Sequence, residues 1–308
     1  MDHLDCLRCF VAVAELGSFA GGARRLGLSP PSASRAIATL EQRLGAPLFQ
    51  RSTRSVKLSE AGEAFLPECR RLLQELDEAQ ARVGGLQQQA SGWLTLTAPA
   101  MFGRLHMAPL ALDFLREHPR LRLRTLFVNR LVHLLDEGVD LALRIAQLPD
   151  STMTALQVDS LRRVLVASPD YLARAGEPRN PSELSEHRAI GFSQDGQWPR
   201  PWNFACEAGE RSVQPQIDWV CDNTEVAVAA AVAGHGLARS LAYQVEEPVR
   251  QGRLRVLLTD FEQPPVPVHL VYPAGRQASA KLRLFLDFAA ARLRQLPVLQ
   301  GRGLDAPA

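Results

Sequence analysis

Apolar residues in the first part of the chain recur at helical spacing in separate runs. The first run ends at Gly17, and Ser18 and Ser29 stand where the N-caps of a second and a third helix are expected. Pro30 suits the first turn of the third helix, because a proline there loses no intrahelical hydrogen bond. The residues predicted to face the core are Leu4, Leu7, Phe10, Val11 and Ala14 in the first helix, and Ile37, Leu40 and Leu44 in the third. The pattern predicts three short helices joined by tight turns.

The third helix begins with residues that are small, hydroxylic or basic. Two helices joined by a tight turn, the second with an uncrowded polar start, form the arrangement that enters a DNA major groove. Hydroxyl groups can bond phosphates or base edges, and an arginine can reach guanine. The residues predicted to contact DNA in this part are Ser18, Ser29, Pro31, Ser32, Ser34 and Arg35.

A basic hairpin is predicted directly after the third helix. Arg51, Arg54 and Lys57 would lie on one flank of this wing and press on the DNA backbone or minor groove. Residues 21–58 carry seven basic side chains and one acid, whereas 28 basic and 32 acidic residues lie elsewhere. A cationic segment on an otherwise mildly acidic chain indicates a polyanionic partner, the alternative being a solvated charged face.

A long helix is predicted from Ser59 onward. Its apolar residues recur at alternating steps of three and four, which is typical of a coiled coil and favours dimerisation. The alternative is a helix packed on its own domain. Gly84-Gly85 and three glutamines then indicate a linker. The residues predicted to form the dimer seam are Phe65, Cys69, Leu72, Leu76 and Val83.

From residue 92 the pattern changes to alternating strands and helices, which predicts a parallel sheet with crossover helices. The predicted strands are 93–97, 121–128, 141–145, 163–167, 189–192 and 268–272. The predicted helices are 105–117, 131–137, one from 170, 224–233 and 280–296.

Ligands of open α/β sheets bind outside the carboxyl ends of the strands, which selects the loops that follow them. A helix start after such a loop favours an anion or carboxylate. The residues predicted to bind a ligand are Ala100, Met101, Phe102, Asn129, Arg130, Phe192, Ser193, Asp222, Asn223 and Thr224.

The sequence argues against several other classes of protein. The acidic start lacks the pattern of a signal peptide, no run of 18 apolar residues occurs, and five scattered cysteines suit a reducing cytoplasm. Seven scattered histidines occur without HExxH, GxSxG or a Walker loop. We therefore expect a cytoplasmic protein that is not an enzyme, with no catalytic residue, metal or cofactor. A free solute-binding protein would not explain the basic N-terminal segment, and a coiled-coil scaffold would explain neither flank of the long helix.

Several sequence runs resemble LysR-type transcriptional regulators. The run SFAGGARRLGLSPPSASRAIATLEQRLGAPLFQRSTRSVKLSEAGEAFL is similar to the N-terminal signature of that family almost position for position. The runs GVDLALRIAQLPDS, ASPDYLARAGEPRNPSELSEH and AVAAAVAGHGLA resemble its effector-binding domain.

The resemblance implies an α/β protein overall, with a winged helix-turn-helix (1–59), a linker and dimerisation helix (60–89) and a two-lobed α/β effector domain (90–300). That domain resembles periplasmic solute-binding proteins, with lobe I at 90–163 and 266–300 and lobe II at 164–265. It further implies double-stranded operator DNA as partner, a small effector that controls the DNA-bound conformation, and homodimers that pair into tetramers.

Some positions depart from the family pattern. Pro30 replaces a glutamine often used on DNA, and Gly21 and Gly22 replace alanines at about 1 kcal/mol each in helix propensity. Ala100 and Met101 stand where a serine or threonine is common, which makes the site more apolar. With Phe102, Met101 suggests an effector with an aromatic or hydrophobic portion; the alternative is packing of both residues against their lobe.

Overall fold

The computed structural model describes residues 2–50, 56–83, 90–193, 197–206, 209–274, 279–299 and 304. The contacts between residues divide the chain into two compact units. One comprises residues 1–90 together with 133–139, and the other residues 91–132 together with 140–308.

The N-terminal unit begins with three helices, α1 (His3–Leu16), α2 (Phe19–Arg25) and α3 (Pro30–Leu44), which confirms the prediction. Asp2 caps α1 by accepting from two backbone N–H groups, and Gly17 ends it in the left-handed region at φ 58°. The Ser18 hydroxyl oxygen accepts from the backbone N–H of Gly21 at 3.1 Å and so caps α2.

A fully buried core joins these helices. Phe10 is completely buried and its ring lies 5.5 Å from Phe49 and 5.8 Å from Phe65. Leu40 of α3 is completely buried as well, whereas Leu44 is 42% exposed, so its predicted burial is wrong. Leu44 occupies the last position of α3, where the helix has passed the edge of the core.

A two-stranded antiparallel ribbon and a long helix follow. Strand β1 (Phe49–Gln50) pairs with β2 (Lys57–Leu58), and α4 spans Glu60–Val83. The Ser59 hydroxyl oxygen accepts from the backbone N–H of Gly62 at 3.0 Å, which is the predicted cap of this helix.

The second unit contains mixed sheets flanked by helices. Its strands are β3 (Gly92–Ala98), β4 (Leu121–Phe127), β5 (Leu141–Ile145), β6 (Met153–Leu161), β7 (Arg163–Ala167), β8 (Arg188–Phe192), β9 (Trp202–Cys206), β10 (Gly209–Val213), β11 (Gln216–Cys221), β12 (Leu237–Leu241), β13 (Arg255–Leu257) and β14 (Val266–Pro273). Its α-helices are α5 (Ala100–Phe102), α6 (Ala108–Glu117), α7 (Pro169–Ala175), α8 (Thr224–Val232), α9 (Ala242–Arg250) and α10 (Ala280–Leu293).

Two five-stranded sheets organise this unit, in the orders β4-β3-β5-β14-β6 and β11-β8-β12-β7-β13. The pairs β3–β4 and β3–β5 join predicted strands and are parallel, as expected. Strand β8 also pairs in parallel with β11 and β12, which the sequence pattern did not predict. The pairs β5–β14, β6–β14, β7–β12 and β7–β13 are antiparallel because β14 and β7 each run opposite to the strands on both sides of them. The antiparallel pair β9–β10 packs against the second sheet, because Trp202, Phe204 and Val213 share a buried core with residues of that sheet.

The helix predicted over residues 131–137 is wrong. The segment forms turns, ended by Gly138 at φ 65°. The Arg144 side chain donates to the backbone carbonyl of Val132 at 3.0 Å and so occupies an acceptor that a helix would use. Leu131 and Leu135 are 64% and 47% exposed, so no continuous apolar stripe needs covering.

Candidate nucleic-acid interface and effector cleft

The N-terminal end of α3 is built by the residues that sequence analysis selected. The Ser29 hydroxyl oxygen accepts from the backbone N–H of Ser32 at 3.3 Å, and the two hydroxyl oxygens lie 2.8 Å apart. Pro30 and Pro31 occupy the first turn, where their missing N–H groups cost nothing. The helix start is therefore fixed locally by its own side chains.

The two sides of α3 differ sharply. Ala33, Ala36, Ile37 and Leu40 are buried against α1 and its neighbours. Pro31, Ser34 and Arg35 are exposed, and the Arg35 Nε donates to the Pro31 carbonyl at 3.5 Å. The exposed side thus presents hydroxyls and a guanidinium at the end of the helix whose backbone N–H groups attract phosphate.

Glu41 joins α3 to the start of the ribbon, a role that the sequence did not predict. Its Oε1 accepts from the backbone N–H groups of Leu48 at 2.7 Å and Phe49 at 3.3 Å. Glu41 is the only acid beside the seven cations of residues 21–58, and this contrast is the sequence signal that could have indicated a structural role for it.

The predicted wing is described only in part. Lys57 is exposed on β2 and faces Gln50 in the register. Arg51 and Arg54 lie outside the described residues. Elsewhere on this domain, Glu15 pairs with Arg25 at 2.6 Å and with Arg70 at 3.2 Å, so these two cations are partly neutralised.

The first part of α4 packs on its own domain, the alternative left open above. Cys69 is completely buried in the N-terminal core, and burial raises the pKa of its thiol to about 12. Phe65 packs against the same core. Leu72 is 43% exposed and Leu76 is half-buried, so they lie on the outer side, whereas the Val83 side chain lies outside the described set.

A cavity of about 290 Å³ brings together predicted ligand residues from both sheets of the second unit. Asn129 and Arg130 follow β4, whereas Asp222 and Asn223 follow β11. The Asn129 side-chain oxygen accepts from the backbone N–H of Ala100 at 3.0 Å, which joins the ends of β3 and β4. The cavity is lined by polar groups, with a cation on one wall and an anion on the other.

A second pair of opposite charges spans the same walls. Arg104, in the π-helical turn Gly103–Met107, lies 2.5 Å from Glu225 in the first turn of α8. Asn223 caps α8 by accepting from the backbone N–H of Glu225 at 2.8 Å. The start of α8 therefore already holds an acid and a side-chain cap, which disfavours a further anion there.

The other predicted ligand residues do not line this cavity. Phe102 is completely buried, with its ring 5.1 Å from Tyr243, so the packing alternative applies to it. Ala100, Met101, Phe192 and Thr224 are half-buried near the strand ends, and Ser193 is buried with its backbone N–H bonded to the Cys221 carbonyl at 2.9 Å.

An aromatic contact joins helix α5 and the π-helical turn after it to helix α9. His106 lies 4.8 Å from Phe102 and 5.9 Å from Tyr243, measured between ring centroids. Its Nε2 is buried without a hydrogen-bond partner in the part of the chain described, and burial lowers its pKa. Burial raises the pKa of Tyr243 to about 12.

No group of three or more His, Cys, Asp or Glu side chains in the described ranges is arranged to hold a metal ion. None of the helices described has both the length and the apolar character that a membrane span requires.

Family models match both parts of the chain. A model described as "Bacterial regulatory helix-turn-helix protein, lysR family" matches residues 4–63, and one described as "LysR substrate binding domain" matches residues 87–294. A relative named HTH-type transcriptional regulator, from Xanthomonas campestris, is 35% identical and covers 92% of this chain and 83% of its own. A relative named HTH-type transcriptional repressor, from Pseudomonas aeruginosa, is 33% identical over 97% of this chain and 95% of its own.

Solved structures show the same likeness. CrgA, a LysR-type transcriptional regulator from Neisseria meningitidis, superimposes with a TM-score of 0.61 at 29% identity, covering 94% of this chain and 98% of that one. The virulence activator AphB from Vibrio cholerae superimposes with a TM-score of 0.59 at 25% identity, covering 94% of this chain and 99% of that one. This chain therefore belongs to the LysR family of transcriptional regulators, with a DNA-binding helix-turn-helix domain and an effector-binding domain rather than an enzymatic one.

Proposed function

We propose that the chain reads a two-fold-related operator through the start of α3, and that a small effector in the cavity controls the conformation it adopts on DNA. The observation that carries this proposal is the exposed α3 start, where a capped helix end presents Ser34 and Arg35 above a fully buried face. Arg35 is the residue that reads a base, because a guanidinium can bond guanine in two places. The serines Ser18, Ser29 and Ser32, with Pro31, bring the backbone close to phosphates.

The wing and the linker helix complete the DNA-binding assembly. Arg51, Arg54 and Lys57 contact the DNA backbone beside the recognition helix. The outward residues Leu72 and Leu76, continuing toward Val83, pair two chains, so that protein symmetry matches two half-sites. Phe65 and Cys69 support this helix from the domain core, and two dimers then form a tetramer.

We assign residues 1–59 to the DNA-binding domain, 60–89 to the linker helix and 90–300 to the effector domain. Within the last, lobe I comprises 90–163 and 266–300 and lobe II 164–265, which is supported by the membership of the two sheets. The effector binds where the strand ends of the two lobes meet. A regulator that binds chromosomal DNA works in the cytoplasm of a bacterium.

Footprinting on the DNA upstream of its own gene, across a range of salt concentrations, tests the proposal. Arg35→Ala should weaken specific binding by about 1–3 kcal/mol and leave non-specific binding nearly unchanged. Arg120→Ala removes the same charge from an exposed turn outside the DNA-binding unit and serves as the matched control. Protection of two related half-sites with steep salt dependence is expected.

Two results would contradict the proposal. If Arg35→Ala protected the operator as well as wild type does, the start of α3 would not be what recognises the DNA sequence. Weak, non-specific binding at every salt concentration would show that no operator lies upstream of the gene.

A further inference from the structure

We infer that Arg163 and Arg239 form a binding site for a small oxyanion, on the face of the second five-stranded sheet that packs against the β9–β10 pair. The ligand carries a phosphate, sulfate or carboxylate group, whose oxygens two guanidinium groups can hold together. Neither arginine lines the cavity described above, so the inference goes beyond the proposed function and does not depend on it.

Two neighbouring strands bring the arginines together. Arg163 begins β7, and Arg239 lies within β12, which pairs with β7 in the antiparallel direction. Arg239 is directly opposite Leu165, and Leu165 points to the same side of the sheet as Arg163, two residues before it. The two guanidinium groups therefore extend from diagonal positions on one face, where long side chains reach each other.

The guanidinium group of Arg239 is held in a fixed orientation by neutral partners. Its Nη2 donates to the backbone carbonyl of Asn203 at 2.5 Å and to the side-chain oxygen of Gln263 at 3.0 Å. Its carbon Cζ lies 5.0 Å from the centre of the Phe204 ring. Both hydrogen bonds use Nη2, so the N–H groups of Nε and Nη1 have no acceptor among the described residues.

Arg163 lacks a counter-charge within the described ranges. Its side chain is half-buried, and no described residue forms a hydrogen bond or an ion pair with its guanidinium group. Two acids in this part of the unit bind other groups. Glu262 accepts from Arg162 with both carboxylate oxygens, and Glu210 accepts from the side-chain amide of Gln263 at 2.8 Å.

The two positive charges disfavour each other. Burial lowers the pKa of Arg163, and burial followed by the neighbouring charge of Arg163 lowers the pKa of Arg239 to about 10. Glu210 acts in the opposite direction on Arg239 and is the smallest of the three causes. Partly desolvated cations on one face are costly unless an anion accompanies them. A bound oxyanion removes this repulsion and accepts from the unused N–H groups.

The donors also select the class of ligand. A guanidinium group presents parallel N–H groups that match two oxygens of one carboxylate, phosphate or sulfate group. A chloride ion is a single acceptor and cannot match this geometry. Arg163 and Arg239 are half-buried rather than fully buried, so a small ligand can reach them from solvent. The site therefore favours a small oxyanion over chloride.

The position of the site links it to the stability of the effector unit. Arg163 directly follows Arg162, where the chain passes from β6 of one sheet to β7 of the other. Gln263, which holds Arg239, lies in the segment through which the chain returns to β14 of the first sheet. A ligand bound to both arginines therefore connects the two segments, and its binding should stabilise the folded unit.

Thermal unfolding of the full-length protein, followed by tryptophan fluorescence, tests this inference. Sodium phosphate, sulfate, acetate and succinate are each titrated at constant ionic strength, with sodium chloride making up the difference. At least one oxyanion should raise the melting temperature along a saturating curve, which yields a dissociation constant. Stabilisation by exclusion of salt from the protein surface would not saturate. The anion that binds most tightly shows whether the site takes a phosphate or sulfate group or a carboxylate.

Arg163→Gln separates ligand binding from a structural role. In chloride this variant should melt at the same temperature as wild type or higher, because it removes a repulsive charge that has no partner in the described ranges. Its affinity for the selected oxyanion should be about tenfold or more weaker. Arg120→Gln removes the same charge from an exposed turn of the same unit and should bind the oxyanion as wild type does.

Three outcomes would overturn the inference. The first is that no oxyanion gives a saturating rise in melting temperature. The second is that Arg163→Gln binds the oxyanion as tightly as wild type. The third is that Arg163→Gln melts below wild type by the same amount with and without the oxyanion, which would make Arg163 a structural residue only. Footprinting tests the proposed function separately, so normal operator protection without oxyanion binding would overturn this site alone.

Discussion

The recognition helix and the effector cavity are assembled in opposite ways. The groups that shape the start of α3 lie within a few residues of one another, and Ser29 caps the helix that carries Arg35. The cavity instead joins Arg130 to Asp222, about ninety residues apart in the sequence, and its neighbouring ion pair joins Arg104 to Glu225. The first site needs one helix to form and dock, whereas the second needs two sheets to be placed correctly.

This difference decides what each site can tolerate. A local site depends on the packing of one helix against its domain, so its weakest point is the buried face behind it. A site formed between distant segments depends on contacts that hold the segments together. Variants can test the two kinds of site separately. All four tryptophans lie beyond residue 91, so tryptophan fluorescence reports on unfolding of the effector unit alone.

The largest effect is expected for Leu40→Ala, behind the recognition surface. Leu40 is completely buried, so its truncation should lower the free energy of unfolding of the N-terminal unit by about 2–5 kcal/mol. Urea unfolding followed by far-UV circular dichroism should show the loss, while tryptophan fluorescence should not change.

Leu44→Ala is the matched control in the same helix. Its side chain is 42% exposed, so the cost should be below about 1 kcal/mol. Equal losses for the two leucines would contradict the orientation assigned to α3.

A smaller effect is expected from the contact that joins the segments between the two lobes. Arg162 donates to both carboxylate oxygens of Glu262, at 2.8 and 2.9 Å, across 100 residues of sequence. Glu262→Gln should lower the free energy of unfolding of the effector unit by about 1–3 kcal/mol, because a partly buried guanidinium loses its counter-charge.

For Glu262→Gln, the unfolding transition followed by tryptophan fluorescence should move to a lower urea concentration. Operator binding without effector should persist. Glu177→Gln, which breaks an exposed pair with Arg255, should change the fluorescence transition little. A shift no larger for Glu262→Gln than for this control would show that the contact does not hold the two segments.

Two adjacent glycines of α2 differ in how closely they approach α1. A Cβ at position 22 would lie 2.8 Å from the backbone nitrogen of Val13, whereas one at position 21 would make ordinary contacts of 3.4 Å or more. Gly22→Ala should therefore destabilise the N-terminal unit by about 1–3 kcal/mol, and Gly21→Ala should stabilise it by up to about 1 kcal/mol. Circular dichroism melts of the two variants should move in opposite directions; a shift of both to higher temperature would contradict the close approach of α1 and α2.

Features that depend on nearby residues could be predicted from the sequence, whereas features that depend on distant residues could not. The caps at Ser18 and Ser29 and the buried Leu40 depend on neighbours within a turn or two, and helical spacing predicted them correctly. The turns at residues 131–137 were mistaken for a helix because the competing Arg144 side chain lies beyond that stretch. Strands β6 and β9–β13 were missed because their pairing partners lie elsewhere in the chain or their faces are largely exposed. Phe102 was assigned to the ligand, yet its partner Tyr243 is far away in sequence.

The smallest expected effect concerns His106, at the aromatic contact between the lobes. Burial lowers its pKa, so the folded protein holds the neutral ring while the unfolded chain takes up a proton more readily. Stability from this residue is therefore complete above the unfolded pKa of about 6.5 and is lost as the pH falls below it. His187, also buried with a lowered pKa, contributes in the same direction.

His106→Phe keeps a ring between Phe102 and Tyr243 but cannot be protonated, so the fall in melting temperature between pH 7 and pH 5 should be smaller than in wild type. The same change at the exposed His133 should leave that fall as it is. If His106→Phe loses as much stability in acid as wild type, the contact between the lobes does not depend on the neutral form of this histidine.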